Sequence, residues 1–352
     1  MLVGIPREIK PLEGRVGLVP EACAELVHAG HQVFLEQGAG EASGFPDEVY
    51  RAAGVNILPD AEALYKRAKL VVKVKEPVGP ELKLLREDHL LFSFLHLAAE
   101  PVLMKKLQRM GLTAIAFETV EESYGLPVLA PMSDIAGRIS VQIGAHLLYR
   151  PQGGKGILLG GLPAAERGRV VILGTGNAGR NAAVVAAGMG ANVTLFGVDR
   201  NQLLATRELG PNVTSLYAYA HQIDEAVRQA DLLIGAVLVT GARTPHLVSA
   251  KQVAAMEPGS VIMDISVDQG GCIETIKPTT YKKPTFTVSG VTHFGVTNMP
   301  GAVPRSSSLA LSAALMPYVL QLASGEWEKN PALLKGVNVR GGEVVHPALQ
   351  DV

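Results

Sequence analysis

The chain has little of what marks several protein classes. Only two cysteines, Cys23 and Cys272, occur in 352 residues. They are far apart and lack a C-x-x-C spacing, which argues against a disulfide framework or a zinc site and for a reducing compartment. There is no run of 18 uninterrupted apolar residues, and the start, MLVGIPREIK, lacks the basic-then-apolar order of a signal peptide. Neither sign of charge is in excess: 32 basic residues stand against 33 acidic ones, for a formal net charge of -1. No basic stripe for nucleic acid and no polybasic patch for a membrane surface is expected from that balance. Low-complexity segments and internal repeats are also missing. What remains is the expectation of a soluble cytoplasmic protein, 47% hydrophobic and long enough to build two cores.

Against that background, Val170 to Asp199 stands out, reading VVILGTGNAGRNAAVVAAGMGANVTLFGVD. The apolar run Val170-Val171-Ile172-Leu173 meets glycines spaced G-x-G-x-x-G at Gly174, Gly176 and Gly179, and small apolar residues follow through Met189. The pattern predicts strand, tight turn and helix, then a second strand over Asn192 to Gly197 with Asp199 just beyond. Each glycine has a purpose in a dinucleotide site: one for the turn, one for backbone approach to a pyrophosphate, one for helix–sheet packing. Unpaired N–H groups at the helix start then hold the anion. Asp199 can accept bonds from ribose hydroxyls and would repel a 2′-phosphate, which favours NAD over NADP. Arg200 beside it reads either as a phosphate partner or as a solvated arginine.

Elsewhere the chain alternates strands and helices. Strands are predicted at Leu2 to Ile5, His31 to Glu36, Leu70 to Lys75, His89 to His96 and Leu112 to Phe117. Helices are predicted from Pro20 to Ala29, Ala61 to Lys69 after an Asp60 cap, and Pro101 to Met110. In Leu70 to Lys75 the alternation puts Leu70, Val72 and Val74 on one face, and Lys73 and Lys75 on the other. Beyond the nucleotide motif the pattern continues through strands near Val213 to Tyr217, Asp231 to Ala236 and Ser260 to Ile265. Long helices are expected at Met132 to Tyr149 and Ser307 to Ala323. The fold class is therefore α/β, with two doubly wound Rossmann-like domains joined by long crossing helices and a cleft between them. The expected substrate domain is discontinuous, residues 1–128 plus 306–352, and residues 129–305 form the nucleotide domain.

Candidates for chemistry fall at the ends of strands. Arg15 follows the first strand, Lys75 ends one and His96 another, which offers two cations for a carboxylate and a group that titrates near neutrality. Each also reads as an ordinary residue, the cations as solvated charges and His96 as a satisfied loop histidine. Asp268 follows a buried strand and precedes Gly270 and Gly271; it reads equally as a turn aspartate. Asp264, inside that strand, reads as structural. Asn298, in NMPGAVPR, could meet a carboxamide or sit in a plain connector.

Several longer stretches carry a resemblance: MLVGIPREIK with EGRVGLVP, VVKVKEP, FLHLAAE, PMSDIAGR, GTGNAG, DLLIGAVLVTGA, DISVDQGGCIET and NMPGAVPRSS. Over nearly its whole length the chain resembles the alanine dehydrogenases, a family that includes the transhydrogenase alpha subunits. The resemblance implies NAD-dependent oxidative deamination of L-alanine to pyruvate and ammonium, and the reverse. It implies that Arg15 and Lys75 bind the substrate carboxylate, that His96 is the acid/base and that Asp268 is the second catalytic group. Ser133 would contact the cofactor phosphates, and Val239, Val267 and Asn298 would line the nicotinamide site, alongside the cradle of Gly174, Gly176, Asn177, Ala178 and Gly179. A homohexamer without a metal is also implied. Departures lie in the cofactor half: Thr175 and Thr240 replace smaller or proline residues, and Gly197 stands where the family carries its ribose-binding aspartate, so Asp199 is the expected substitute. Two other readings are a nucleotide-binding component of a proton-translocating transhydrogenase, and a noncatalytic NADH-sensing module. Neither needs the set Arg15, Lys75, His96 and Asp268.

Overall fold

The computed structural model describes residues 1–237 and 244–350. The chain divides into two compact units, one of Met1–Met132 with the described residues from Gly301 onward, the other of Ser133–Pro300. The first begins with strands β1 (Leu2–Ile5), β2 (Gln32–Glu36), β3 (Asn56–Leu58), β4 (Leu70–Val72), β5 (Leu90–Ser93) and β6 (Thr113–Ala116). The second contains β7 (Arg169–Leu173), β8 (Asn192–Gly197), β9 (Val213–Tyr217), β10 (Leu232–Gly235), β11 (Val261–Asp264), β12 (Thr285–Val288) and β13 (Val291–Phe294). The chain then returns to the first unit with β14 (Val337–Arg340) and β15 (Glu343–Val344).

Both sheets have the same plan. In the first unit the order is β15-β14-β6-β5-β4-β1-β2-β3, and in the second β12-β13-β11-β10-β7-β8-β9. Counted from the first strand of each unit, the first contains the doubly wound order 3-2-1-4-5-6 and the second 3-2-1-4-5, with its seventh strand, β13, in the sixth place and β12 outside it. The strand order reverses between β1 and β4 in one sheet and between β7 and β10 in the other, and ligands bind beyond the carboxyl ends of strands at such reversals. The expected α/β doubly wound class is present. Its parallel sheets, however, carry antiparallel edges: β14 runs against β6, β15 against β14 and β12 against β13. Short strands such as β3, and the β12–β13 hairpin, have too few alternating residues to stand out in sequence.

Burial on both faces explains the apolar runs. In β7, Val170 and Ile172 enter one core cluster while Val171 and Leu173 enter another, and β10 and β11 divide their residues the same way. That is the period of two expected of a strand covered by helices on both sides. In the first unit, all three residues of β4 are fully buried. Asp60 caps helix Ala61–Arg67 as expected, accepting from the Ala63 N–H at 2.8 Å.

Lys73 corrects the alternation read for Leu70 to Lys75. The strand stops at Val72, and Lys73, expected to share a face with Lys75 opposite the apolar residues, is 1% exposed and ion-paired. Among the described residues one helix, Pro304–Ser324, is long and apolar enough in composition to cross a membrane. Half of that stretch is buried within the structure, and the Ser308 and Ser312 hydroxyls accept from the Val16 and Val19 N–H groups. It is a core helix of the first unit.

Candidate functional site

In the first unit, the residues expected to meet substrate emerge beyond the carboxyl ends of adjacent parallel strands. β1 pairs with β4 and β4 with β5, so the segments after them leave from one edge of the sheet. Lys75 and His96 each lie three residues past the ends of β4 and β5. Main-chain bonds continue a short way, from Lys73 N–H to Phe92 O and from Phe94 N–H to Val74 O.

Arg15 is 2% exposed, not a solvated charge. Its Nε donates to Glu13 Oε1 at 2.7 Å and its Nη2 to Glu13 Oε2 at 2.5 Å, a two-point pairing that fixes the guanidinium plane. Nη1 lies 3.2 Å from Met132 Sδ. A cavity of about 460 Å³ opens beside this pair, lined by Glu8, Glu13, Gly14 and Arg15 and by the loop after β2.

His96 is exposed, with its ring stacked on Phe94 at 5.7 Å between centroids. Its φ of 49° is left-handed, a conformation uncommon in residues other than glycine and costly to hold, although histidine adopts it more readily than most. The Glu118 carboxylate, just past β6, accepts from the His96 N–H at 2.6 Å and from the Leu95 N–H at 3.3 Å. A charge-assisted bond of that kind offsets backbone strain. Glu118 has no sequence signal, because its partners lie more than 20 residues away.

Lys75 is half-buried. Behind it lies an ion-pair cluster that sequence reading did not find: Lys73 Nζ stands 3.0 Å from Glu8 Oε2 and 3.3 Å from Glu81 Oε1, with all three side chains nearly inaccessible. Burial works against the ammonium's charge, but the two carboxylates outweigh it and hold the Lys73 proton more firmly than in a free lysine.

In the second unit, each motif glycine has its own reason. Gly174 turns the chain with φ 110°, and a Cβ there would lie 2.3 Å from Ala236 O. A Cβ on Gly179 would lie 1.9 Å from Gly174 O, so only glycine lets the helix start close under the strand. Gly176 differs: a Cβ would meet nothing within 4 Å. It caps helix Asn177–Gly188, and Gly176 and Asn177 are exposed while Ala178 is half-buried. Bare backbone at a helix start, facing open space, fits the pyrophosphate of a dinucleotide. Beside it lies a cavity of about 310 Å³ that includes Arg138, Asn177 and Arg180. Ser133 is half-buried in the first turns of helix Ala130–Leu147.

At the end of β8, Thr175 and Gly197 prove to be neighbours. A Cβ on Gly197 would fall 2.6 Å from both Oγ1 and Cγ2 of Thr175, so the threonine occupies the room a side chain at 197 would need. Thr175 Oγ1 donates to Gln202 Oε1 at 2.8 Å. Asp199 is exposed and caps helix Arg200–Arg207, accepting from the Gln202 N–H at 2.8 Å.

Asp268 is exposed on the short 3-10 turn Ile265–Gln269, next to Val267, which is 4% exposed. The turn is fastened by Asp264, whose carboxylate accepts from the N–H groups of Ser266, Cys272 and Ile273. Burial pushes Asp264 up to about 6, against the pull of those three donors. Asn298 is half-buried with φ 65°. Val239 and Thr240 lie outside the described residues.

Two family models match, "Alanine dehydrogenase/PNT, N-terminal domain" over residues 4–136 and "Alanine dehydrogenase/PNT, C-terminal domain" over residues 140–347. An alanine dehydrogenase from Mycolicibacterium smegmatis is 47% identical, over 99% of this chain and 96% of its own length. A solved structure titled L-alanine dehydrogenase superposes with a TM-score of 0.96 at 50% identity, covering 100% of this chain and 98% of its own. A transhydrogenase from Sinorhizobium meliloti superposes with a TM-score of 0.86 at 26% identity, over 99% of this chain and 100% of its own.

Proposed function

Because the chain belongs to the alanine dehydrogenase/PNT family, we propose a division of labour among its residues in the oxidation of an amino acid. Its activity is that of an alanine dehydrogenase, an amino acid oxidoreductase whose substrates are L-alanine and, in reverse, pyruvate with ammonium. The match along the whole chain to proteins of that activity carries this conclusion.

We assign NAD as the cofactor, held by the backbone of Gly174, Gly176, Asn177, Ala178 and Gly179, with Ser133 at its phosphates, Asp199 at its ribose, and Val239, Val267 and Asn298 at its nicotinamide. When bound, NAD supplies a hydride acceptor for the α carbon of alanine. Arg15 and Lys75 fix the substrate carboxylate, and with it the direction of the α hydrogen, which supplies the orientation part of the rate. His96 takes a proton from the water that adds to the imine and returns it to the departing ammonia. Asp268 orients that water and stabilises the cation that forms on nitrogen. The buried Glu13–Arg15 pairing supports this reading, since it presents a planar cation in one orientation.

The test is alanine-dependent reduction of NAD and of NADP. Reduction of NAD that requires alanine, and is faster than that of NADP, is expected. Hydride exchange between two nucleotides without alanine would instead favour the transhydrogenase reading. We further propose a cytoplasmic homohexamer; sedimentation at six times 37.1 kDa is expected, and a monomeric mass would overturn it.

A further inference from the structure

We propose that the buried Glu8–Lys73 pair is a positioning device for Lys75, holding the backbone of that residue so that its ammonium meets a substrate carboxylate at a fixed place. The inference rests on the reading of Lys75 as a substrate-binding residue. β4 ends at Val72, and main-chain bonds to the β5 segment continue through the Lys73 N–H and the Val74 carbonyl. One residue further on, the Lys75 N–H donates to Glu8 Oε1 at 3.3 Å, and the Lys75 carbonyl accepts from Lys73 Nζ at 2.9 Å. Both polar groups of its backbone are thus bound by a single ion pair. Glu8 Oε1 also accepts from the Val74 N–H at 2.6 Å, so the carboxylate grips two consecutive amides.

The pair is fully used. An ammonium has three protons, and Lys73 meets three acceptors: Glu8, Glu81 and the Lys75 carbonyl. The side chains of Lys73, Glu8 and Glu81 are 1%, 2% and 3% exposed. Burying such a group is a poor route to stability, since apolar residues of similar volume commonly serve as well or better. What apolar residues cannot supply is a donor and an acceptor aimed at one residue's backbone. Glu118 holds the His96 amide in the same manner, so the device appears behind two of the residues assigned to substrate chemistry.

The test compares wild type with the double variant Glu8→Leu/Lys73→Met and with Lys75→Ala. Replacing both members together removes one charge of each sign, and Glu81, which loses its ammonium partner, keeps its bonds to the Tyr65 hydroxyl and the Val78 N–H. The KM for pyruvate is expected to rise roughly tenfold in the folded double variant, as misplacement of a binding group does. The KM for NADH and kcat should stay within about twofold, a split that general destabilisation would not produce. A raised pyruvate KM in Lys75→Ala but a wild-type value in the folded double variant overturns the positioning role alone. An unchanged pyruvate KM in Lys75→Ala overturns the substrate-binding assignment and this inference with it. Should the double variant not fold, amide exchange on the native enzyme decides: protection of the Lys75 N–H comparable to that of Phe92 is expected, and free exchange overturns the proposal.

Discussion

The two reversals of strand order share one topology and carry opposite chemistry. Between β7 and β10, where we propose that the dinucleotide binds, the surface is bare backbone: a helix start with an exposed glycine cap, where no side chain stands. Beyond β1, β4 and β5 it is built from charged side chains, each anchored by a carboxylate: Glu13 for Arg15, Glu8 for the segment of Lys75, Glu118 for His96. A fold places ligands at such a point but leaves their chemistry to local residues. Backbone N–H groups suit a large, invariant anion. A small carboxylated metabolite needs directed cations and a proton carrier, which long flexible side chains provide only when fixed.

The contrast can be broken from either side. The largest effect should come from His96→Ala, which removes the proposed proton carrier while leaving the glycine cradle intact. Turnover should fall by about 10²- to 10⁴-fold with NADH binding, read by fluorescence titration, unchanged; normal turnover would remove His96 from its role. Next is Glu118→Ala, which leaves the imidazole in place but frees its strained backbone. A loss of roughly tenfold to a hundredfold in kcat is expected, with partial recovery in Glu118→Gln, which keeps one acceptor oxygen. On the backbone side, Gly176→Ala meets no protein atom and should leave the melting temperature near that of wild type while raising the KM for NADH about tenfold. Gly179→Ala, by contrast, should lower stability by about 2 kcal/mol or more, because its methyl group overlaps Gly174 O.

A smaller effect sharpens cofactor choice. Gly197→Asp alone collides with Thr175 and should destabilise, whereas Thr175→Gly with Gly197→Asp should fold and raise the NAD to NADP ratio of kcat/KM several-fold, on the order of 1 kcal/mol in discrimination. An unchanged ratio would show that Asp199 or Gln202 already does this work. Smallest is a pH effect at Asp264. Its carboxyl is pushed up to about 6 from an ordinary 3.8. The folded chain therefore binds a proton between these values that the unfolded chain does not. Stability relative to Asp264→Asn should accordingly increase as pH falls from 7 to 5, by about 1 kcal/mol. A flat difference between the two proteins would mean that the three N–H donors hold the carboxyl lower.

Much of the fold could be read directly because its signals are local. The apolar run 170–173, the G-x-G-x-x-G spacing and the helix after it are set by neighbours within a few residues, and Asp60 could be recognised as a cap from the helix it opens. The alternation at Leu70 to Lys75 misled for the opposite reason. Lys73 has the spacing of a residue outside the apolar face, yet its partners come from positions 8 and 81, and only the order β5-β4-β1 brings position 8 beside it. Likewise Thr175 and Gly197 looked like separate departures until the pairing of β7 with β8 made them one contact.

From the order of residues alone come the α/β class, the glycine cradle and the residue types suited to an amino acid and a dinucleotide, because periodicity and turn chemistry act over a few bonds. Tertiary structure alone decided which carboxylate holds which working residue, that Arg15 is buried, and that a threonine fills the place of a missing side chain. Those depend on strand order, which joins charges more than 60 residues apart in sequence, as Glu8 and Lys73 are, and no local pattern records such a distance.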